Sequence, residues 1–387
     1  MIIKSLFFKD DINGLCIEET SFSDLTIFVG TSGAGKTTIM DSLATVVGIA
    51  KGLSSPGDEW DLKFFDNEHR DIRWQGKFSS EVEQIQSDEN YEDDDEDVAK
   101  VESESLTIDG KEVFKRNDNL ITYNGEKLPQ IEKHKSLLYV FRDDNLIEKV
   151  YSSLISIKIA SSHSREFTDL RSIPLVYIKS DSTINDLINT GKKGIIGLTE
   201  KYPELNCREK LYYASKYDPS AFEEFEFIYS NIFPNVKKVK ISLLDSIRGG
   251  VPNKNKNGIH IEIELICGTK VSQASMSSGM FKTMTILAEL LFSSGNEVLV
   301  IDEIENSLGV NCLPEILSYI QDNDSQIILS THHPKIINKI PAKFWRIVTR
   351  KGGCISTQYA EAISESTSKH DKFLQLINSD IYLHGAD

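Results

Sequence analysis

Residues 30–37 read Gly-Thr-Ser-Gly-Ala-Gly-Lys-Thr, which fits the pattern G-x-x-x-x-G-K-[ST] of a loop that holds the phosphates of a nucleotide. Residues 25–29 before it are apolar and β-branched, which predicts a buried strand, and residues 38–44 can run as a helix. Glycines let the backbone approach the phosphates, and the helix start aims its N–H groups at them. The predicted contacts come from Gly30, Ser32, Gly33, Ala34, Gly35, Lys36, Thr37 and Thr38.

Two side chains of this phosphate loop (residues 30–37) have predicted roles in chemistry. Lys36 is expected to reach the β- and γ-phosphates and to assist catalysis, and the hydroxyl of Thr37 is expected to ligate Mg²⁺. The alternative is a glycine-rich turn that happens to carry Lys-Thr.

A second apolar segment ends in two carboxylates. Residues 297–303 read Glu-Val-Leu-Val-Ile-Asp-Glu, which predicts a buried strand followed by acids. Asp302 is the predicted Mg²⁺ ligand, and Glu303 is the predicted group that polarises the attacking water. The alternative is a core strand capped by surface acids. Residues 327–332 follow at the spacing of a strand–helix–strand unit and end in His332, a candidate for binding the γ-phosphate.

The signature segment, residues 276–280, reads Met-Ser-Ser-Gly-Met and precedes a helical run over residues 281–292. Its Ser277, Ser278 and Gly279 would form a second anion site at a helix N-terminus. A plain N-cap is the alternative. The specific feature is the order of the four motifs along the chain.

In that order the motifs resemble the ABC-type ATPase class, and most nearly its OLD/RecF-like branch of AAA family ATPases, over residues 1–50 and 270–350. The resemblance makes Ser277 the signature serine. Residues 302–306, Asp-Glu-Ile-Glu-Asn, are similar to a stretch of that branch. Residues 330–334, Ser-Thr-His-His-Pro, are similar to its Ser-Thr-His-Ser-Pro switch, which gives the γ-phosphate role to His332 rather than His333.

The chain also departs from the pattern of that branch. Ser32 stands where the loop usually has Asn, and residues 307–310, Ser-Leu-Gly-Val, stand where Gly-Leu-His-Pro often follows. Gln75, next to Trp74, is the candidate for the metal ligand of the Q-loop, with an ordinary strand glutamine as the alternative.

The resemblance implies an α/β fold: an ABC-ATPase head with a P-loop core sheet, an antiparallel β lobe and an inserted helical lobe. It implies ATP and Mg²⁺ as ligands, with hydrolysis at a dimer interface where the signature serine of one subunit contacts the γ-phosphate held by the other. Because one chain carries one phosphate loop and one signature segment, we expect an ATP-sandwich homodimer or a higher oligomer.

The motifs do not say what ATP hydrolysis drives. Only residues 351–387 follow the last core strand, too few for the TOPRIM nuclease of some OLD-like proteins. We therefore expect a separate effector protein, a nuclease or toxin, as for the stand-alone ATPase subunits of prokaryotic antiphage defence systems that the motifs resemble. The alternatives are a RecF-like ATPase of DNA repair or maintenance, an ATP-bound scaffold with little turnover, and a transporter subunit.

Charge and composition limit the partners. The net charge is −16, with 59 acidic and 43 basic residues, so DNA is a possible partner that charge does not indicate. Eight acids fall within residues 88–97, which favours a solvated loop. The alternative is a docking strip for a basic partner or a DNA mimic. No apolar run suits a membrane helix, and five cysteines without paired spacing indicate reduced thiols in the cytoplasm.

The predicted organisation has four parts. Residues 1–145 form a nucleotide-binding lobe that starts with an edge strand and contains a β-meander and an acidic insertion at 76–100. Residues 146–235 form a helical arm, 236–350 complete the ATPase core, and 351–387 add a hairpin and a helix.

Overall fold

The computed structural model describes residues 1–85, 96–117, 120–160, 175–176, 184, 194–248, 251–306, 308, 312–333, 336 and 339–360. The chain forms two compact units. Unit 1 combines Met1–Ile157 with Gln326–Asp387, and unit 2 is Lys158–Ser325. Both units mix helices with strands, which confirms the predicted α/β class.

Strands and helices are numbered in chain order. The helices of unit 1 are α1 (Lys36–Ala50), α2 (Leu137–Val140) and α3 (Glu148–Ile155). Its strands are β1 (Ile2–Asp10), β2 (Leu15–Ser21), β3 (Leu25–Val29), β4 (Asp58–Phe65), β5 (Asp71–Ile85), β6 (Glu96–Ile108), β7 (Lys111–Asn117), β8 (Leu120–Tyr123), β9 (Glu126–Leu128), β16 (Gln326–Ser330), β17 (Trp345–Lys351) and β18 (Cys354–Tyr359).

The strands of unit 2 are β10 (Ile157–Ala160), β11 (Leu175–Val176), β12 (Val236–Arg248), β13 (Val251–Leu265), β14 (Lys270–Ser272) and β15 (Val298–Ile301). Its helices are α4 (Gly194–Lys201), α5 (Cys207–Tyr217), α6 (Pro219–Ile232), α7 (Ser278–Leu291) and α8 (Cys312–Gln321). Among the described residues, no helix combines the length and the apolar character that a membrane crossing requires.

Strand β3 lies in the parallel part of the unit 1 sheet. All of its residues are buried, and it runs parallel to β16 on one side and to β17 on the other. Both faces of a parallel sheet are covered, which explains why four of the five residues of this strand are apolar. Thr26 is the exception, and its hydroxyl donates to the carbonyl oxygen of Ser23 at 3.3 Å. The strand order continues from β17 through β18, β2, β1 and β4 to β5, and then through β6, β7 and β8 to β9.

The antiparallel part of unit 1 packs around buried aromatic side chains. The rings of Trp60 on β4 and Trp74 on β5 meet edge to face, with centroids 5.1 Å apart. Gly76 admits this packing, because a Cβ there would lie 2.6 Å from the Trp60 ring. The indole N–H of Trp74 donates to the buried carboxylate of Glu104 at 2.9 Å, and burial raises the pKa of Glu104.

Unit 2 combines a helical group with strands β10 and β15, which lie side by side. Polar residues fix where its helices begin: Asn206 and Glu209 form a capping box on α5, and Asp218 caps α6 ahead of Pro219. In a second sheet, β13 pairs with β11, β12 and β14.

A buried ionic triad joins three elements of unit 2. Nζ of Lys210 on α5 donates to Oε2 of Glu289 on α7 and to Oε2 of Glu297 just before β15, each at 2.6 Å. The side chain of Lys210 is fully buried, and those of the two glutamates are 2% and 4% exposed. Burial raises the pKa of Glu297, and the Lys210 ammonium opposes that rise. The triad therefore joins α5, α7 and the start of β15 to one another.

The structure corrects three sequence predictions. Residues 76–85 and 96–100, predicted as part of an acidic insertion, belong to β5 and β6, where apolar residues such as Phe78 and Val101 pair across the strands. The N-terminal strand is not at an edge, since β1 pairs with both β2 and β4. Residues 157–160 of the predicted helical arm form β10.

Other predicted features lie outside the described residues. These are residues 88–95 of the acidic run, most of a helix predicted over residues 181–189, and the C-terminal helix predicted over residues 369–381.

Replacing Lys210 tests the triad. Lys210→Met leaves two buried carboxylates without their cation, so we expect the free energy of unfolding to fall by about 3–5 kcal/mol. Lys237→Met is the matched control, because Lys237 pairs with Glu264 at the surface, where an ion pair contributes about 1 kcal/mol or less. Denaturant unfolding of both variants measures the difference, and equal losses would contradict a special role for the triad.

Candidate nucleotide-binding site

The phosphate loop joins β3 to α1 and depends on glycine at several positions. Gly33 and Gly35 have φ angles of 86° and 101°, in the left-handed region that favours glycine. A Cβ at Gly35 would lie 2.4 Å from Cδ1 of Ile355, and one at Gly30 would lie 2.7 Å from the carbonyl oxygen of Val348. The loop is thus seated against β17 and β18, whereas a Cβ at Gly33 would meet no atom within 4 Å.

The side chain of Lys36 turns back towards the start of the phosphate loop. Its Nζ donates to the carbonyl oxygens of Gly30 and Thr31, both at 2.9 Å, and the residue is 4% exposed. The α1 helix begins at Lys36, and neither a side-chain cap nor an acidic residue occupies its first turn. Its positive N-terminal end is therefore not neutralised by its own first-turn side chains, which suits a phosphate group.

The other predicted loop contacts divide by exposure. Ser32 and Gly33 are exposed at the tip, Thr37 and Thr38 are half-buried in the first turn of α1, and Ala34 is fully buried. The exposed tip and the helix start leave one side of the loop accessible to a ligand.

His332 follows the neighbouring parallel strand in unit 1. Ser330 at the end of β16 pairs with Phe28 of β3, and the backbone N–H of Thr331 donates to the carbonyl of Phe28 at 3.2 Å. The carboxyl ends of β3 and β16 therefore lie side by side, and ligands of such sheets bind outside that end. His332 is half-buried there, as is His333, so the preference for His332 stays a prediction.

In unit 2, β15 leads into the acidic turn, residues 302–306. Asp302 is 4% exposed, and its backbone N–H donates to the carbonyl of Ala160 at the end of β10, at 3.0 Å. Glu303 has a φ of 42°, a left-handed conformation that is strained for a residue with a side chain. Such strain is concentrated at functional sites, which fits the predicted role of Glu303.

Lys282 of α7 binds the acidic turn, a role that the sequence motifs do not predict. Its Nζ donates to the carbonyl oxygens of Glu303 and Asn306 at 3.0 and 2.9 Å. Burial lowers the pKa of Lys282, and the carboxylates of Glu305, Asp302 and Glu303 oppose that change. The only sequence signal is a lysine one turn into the helix that follows the signature segment.

The signature segment forms the start of α7. Ser277 is the N-cap, and its Oγ accepts from the backbone N–H of Met280 at 3.2 Å. Ser277 and Ser278 are exposed, and Gly279 is half-buried. This geometry is that of an N-cap. The anion-binding role of the segment stays a prediction.

Gln75 has a different setting from the other candidates. It lies in the middle of β5, where it pairs with Asp61 and Ser105, and it lines a cavity of about 380 Å³ on the antiparallel sheet. Five strands separate β5 from β3 in the sheet order. This setting fits an ordinary strand glutamine better than a metal ligand at the end of β3.

Comparison with known proteins gives one family match. A family profile described as "AAA domain, putative AbiEii toxin, Type IV TA system" matches residues 216–338. This stretch contains the signature segment, the acidic turn and His332. No curated protein matches the chain in sequence.

The chain is also similar to solved SMC head domains. The SMC head bound to the C-winged helix domain of ScpA is 15% identical, and the match covers 92% of this chain and 97% of that chain with a TM-score of 0.48. The Smc head domain with an extended coiled coil bound to the C-terminal domain of ScpA, derived from Pyrococcus furiosus, is 14% identical, with 98% and 100% covered and a TM-score of 0.45. The SMC head domain from Thermotoga maritima is 15% identical, with 93% and 99% covered and a TM-score of 0.39. The profile covers 123 of the 387 residues and does not reach the phosphate loop, so the family match and the geometry of that loop are independent observations that both point to nucleotide binding.

Removing Lys282 tests its hold on the acidic turn. In Lys282→Gln the acidic turn loses the ammonium group that binds its carbonyl oxygens, so we expect Glu303 to be poorly positioned. Because a proton-transfer group is then misplaced, kcat for ATP hydrolysis should fall about tenfold or more, while KM changes little. Lys270→Gln is the control, because the Lys270 side chain is exposed and its nearest carboxylate, on Glu262, is 3.9 Å away. Steady-state kinetics of both variants measure kcat and KM. A raised KM with unchanged kcat in Lys282→Gln would refute a positioning role.

Proposed function

We propose that this protein binds and hydrolyses ATP as an ABC-type ATPase. The observation that carries the proposal is the phosphate loop itself: two left-handed glycines and a buried lysine at the start of a 15-residue helix whose first turn has no side-chain cap. His332 follows the strand next to β3, which adds a polar side chain at the same end of the sheet.

Each predicted residue has a role that its setting allows. Lys36, together with the backbone N–H groups at the start of α1, binds the β- and γ-phosphates. Glu303 accepts the proton of the attacking water, and His332 contacts the γ-phosphate.

The hydroxyl of Thr37 and the carboxylate of Asp302 are the predicted ligands of Mg²⁺, and each is separately an oxygen donor of the kind that this metal prefers. When bound, it neutralises the charge that develops on the phosphates during transfer.

We infer that the active form is an ATP-sandwich homodimer or a higher oligomer. The support is the exposed position of Ser277 and Ser278 at the start of a 14-residue helix, together with the presence of one phosphate loop and one signature segment per chain. In such a pair, the signature serine of each copy donates to the γ-phosphate bound by the other copy.

We further propose that this nucleotide-driven oligomer controls a separate effector, a nuclease or toxin, in bacterial antiphage defence. The resemblance of the motifs to stand-alone defence ATPases supports it, as does the family description, which names a toxin and a toxin–antitoxin system. Co-purification with the products of neighbouring genes, with and without ATP, tests this step, and the absence of any nuclease or toxin among ATP-dependent partners would contradict it.

Lys36→Ala tests the assignment of the phosphate loop. Removing a charge-assisted hydrogen bond of about 1.5–3 kcal/mol predicts a loss of ATP affinity of about 10- to 100-fold. Lys51→Ala is the control, since Lys51 is exposed at the opposite end of α1. Titration with a fluorescent ATP analogue measures both, and undiminished affinity in Lys36→Ala would rule out the assignment.

Glu303→Gln tests the catalytic base. An amide cannot accept the proton of the water, so turnover should fall about 10²- to 10⁴-fold while ATP stays bound. The mass of the complex in solution, measured with ATP, should show the closed oligomer accumulating. Glu305→Gln is the comparison variant, and loss of turnover there with normal turnover in Glu303→Gln would move the base to Glu305.

A further inference from the structure

Two cysteines that are far apart in the sequence lie opposite each other in the unit 1 sheet. Strands β2 and β18 are parallel neighbours, and Cys16 pairs in register with Cys354. Neighbouring strands are about 4.8 Å apart, and residues directly opposite each other point to the same face. This spacing falls within the Cα–Cα range of about 4.4–6.8 Å that a disulfide spans.

Two lysines flank the pair in the sheet. On the outer sides of β2 and β18, Lys9 of β1 is the register partner of Cys16, and Lys351 of β17 is the register partner of Cys354. A row of four residues across four strands therefore reads Lys, Cys, Cys, Lys. Lys9 is itself paired with Asp11, with its Nζ 2.6 Å from Oδ1.

The two thiols differ in exposure. Cys354 is exposed, and Cys16 is half-buried. Burial, and after it a hydrogen bond between the two side chains, raises the pKa of the Cys16 thiol, and Glu18 adds to the rise while Lys9 opposes it. Cys354 is therefore the residue that an oxidant reaches first, and Cys16 is the second thiol, already in contact with it.

The residue after Cys354 contacts the phosphate loop. Ile355 packs against Gly35, where a Cβ would lie 2.4 Å from its Cδ1. The backbone N–H of Cys16 donates to the carbonyl of Gly353 at 2.9 Å, so both cysteines belong to the turn region that supports this contact. A covalent bond between β2 and β18 would therefore act one residue away from a contact that seats the loop.

We propose that Cys16 and Cys354 are a dithiol modification site, which peroxides oxidise to a reversible disulfide that changes the nucleotide affinity of the phosphate loop. The sulfur of Cys354 attacks one oxygen of hydrogen peroxide, the O–O bond breaks, and the departing hydroxide takes up the thiol proton, so that sulfenic acid and water form. The sulfur of Cys16 then attacks the sulfenic sulfur, and the sulfenic hydroxyl leaves with the Cys16 thiol proton as a second water as the S–S bond forms. Two electrons pass from the thiols to the peroxide. A small dithiol restores both thiols by exchange and is itself oxidised to its disulfide.

The first test concerns the bond. The full-length protein is treated with hydrogen peroxide, its remaining thiols are alkylated, and its peptides are analysed by mass spectrometry. We expect a linked pair of peptides containing Cys16 and Cys354, lost after dithiothreitol. Cys267→Ser is the matched control, because Cys267 is an exposed thiol in unit 2, and it should leave the linkage intact, whereas Cys354→Ser should abolish it. Alkylated Cys16 beside an over-oxidised Cys354, or a linkage between two chains, would overturn the site.

The second test asks whether the disulfide changes nucleotide binding by the phosphate loop. Of the two tests, only this one rests on the proposed nucleotide binding. Affinity for a fluorescent ATP analogue is measured on oxidised and reduced wild-type protein and on Cys354→Ser. We expect oxidation to change the wild-type affinity at least about fivefold, the lower range of coupling between sites, and to leave Cys354→Ser unchanged. A linked protein with unaltered affinity would overturn the coupling. Failure of the reduced protein to bind the analogue would instead count against the proposed function.

Discussion

The seating of the phosphate loop on its neighbouring strands is the constraint on which the rest of the candidate site depends. Gly30 lies against β17 and Gly35 against β18, so closely that a single Cβ at either position would collide with its neighbour. This contact sets where the backbone turns from β3 into α1, and hence where Lys36 and the first N–H groups of the helix lie. Because β16 pairs with β3, the same arrangement places His332 at that end of the sheet.

In unit 2, the conformation of the acidic turn depends on contacts made from α7. Glu303 adopts a strained backbone conformation, and Lys282 donates to the carbonyl oxygens of Glu303 itself and of Asn306. The Lys210 triad joins α7 to the start of β15 at the other end of the strand. The helix that begins with the signature serines is thus connected to both ends of β15. Ser277 therefore caps the same helix that carries Lys282.

The sequence predicted the parts of the site that are encoded by adjacent residues. The phosphate loop, its strand and its helix are one continuous segment, and strand β15 is one apolar run before two acids. Lys282, the Lys210 triad and the pairing of Cys16 with Cys354 join residues distant in the chain, and no local pattern reports them. The same limit explains why β10 was not predicted, since its four residues are too short a run to give a clear strand signal and form a strand by pairing with β15. It also explains the length of β5 and β6, because their pairing extends into the acidic region.

The central claim is that two copies complete each ATP site, and a mixing experiment tests it most directly. Lys36→Ala disables the phosphate loop of the chain that carries it, and Ser277→Arg disables the signature segment of the chain that carries it. At an ATP concentration near the wild-type KM, each variant alone should have little ATPase activity. In a one-to-one mixture, half of the dimers combine the two variants, and each of these has one intact site, so about a quarter of the wild-type ATPase activity should return if mutant sites act independently. No activity in a mixture shown to contain mixed dimers would contradict the account.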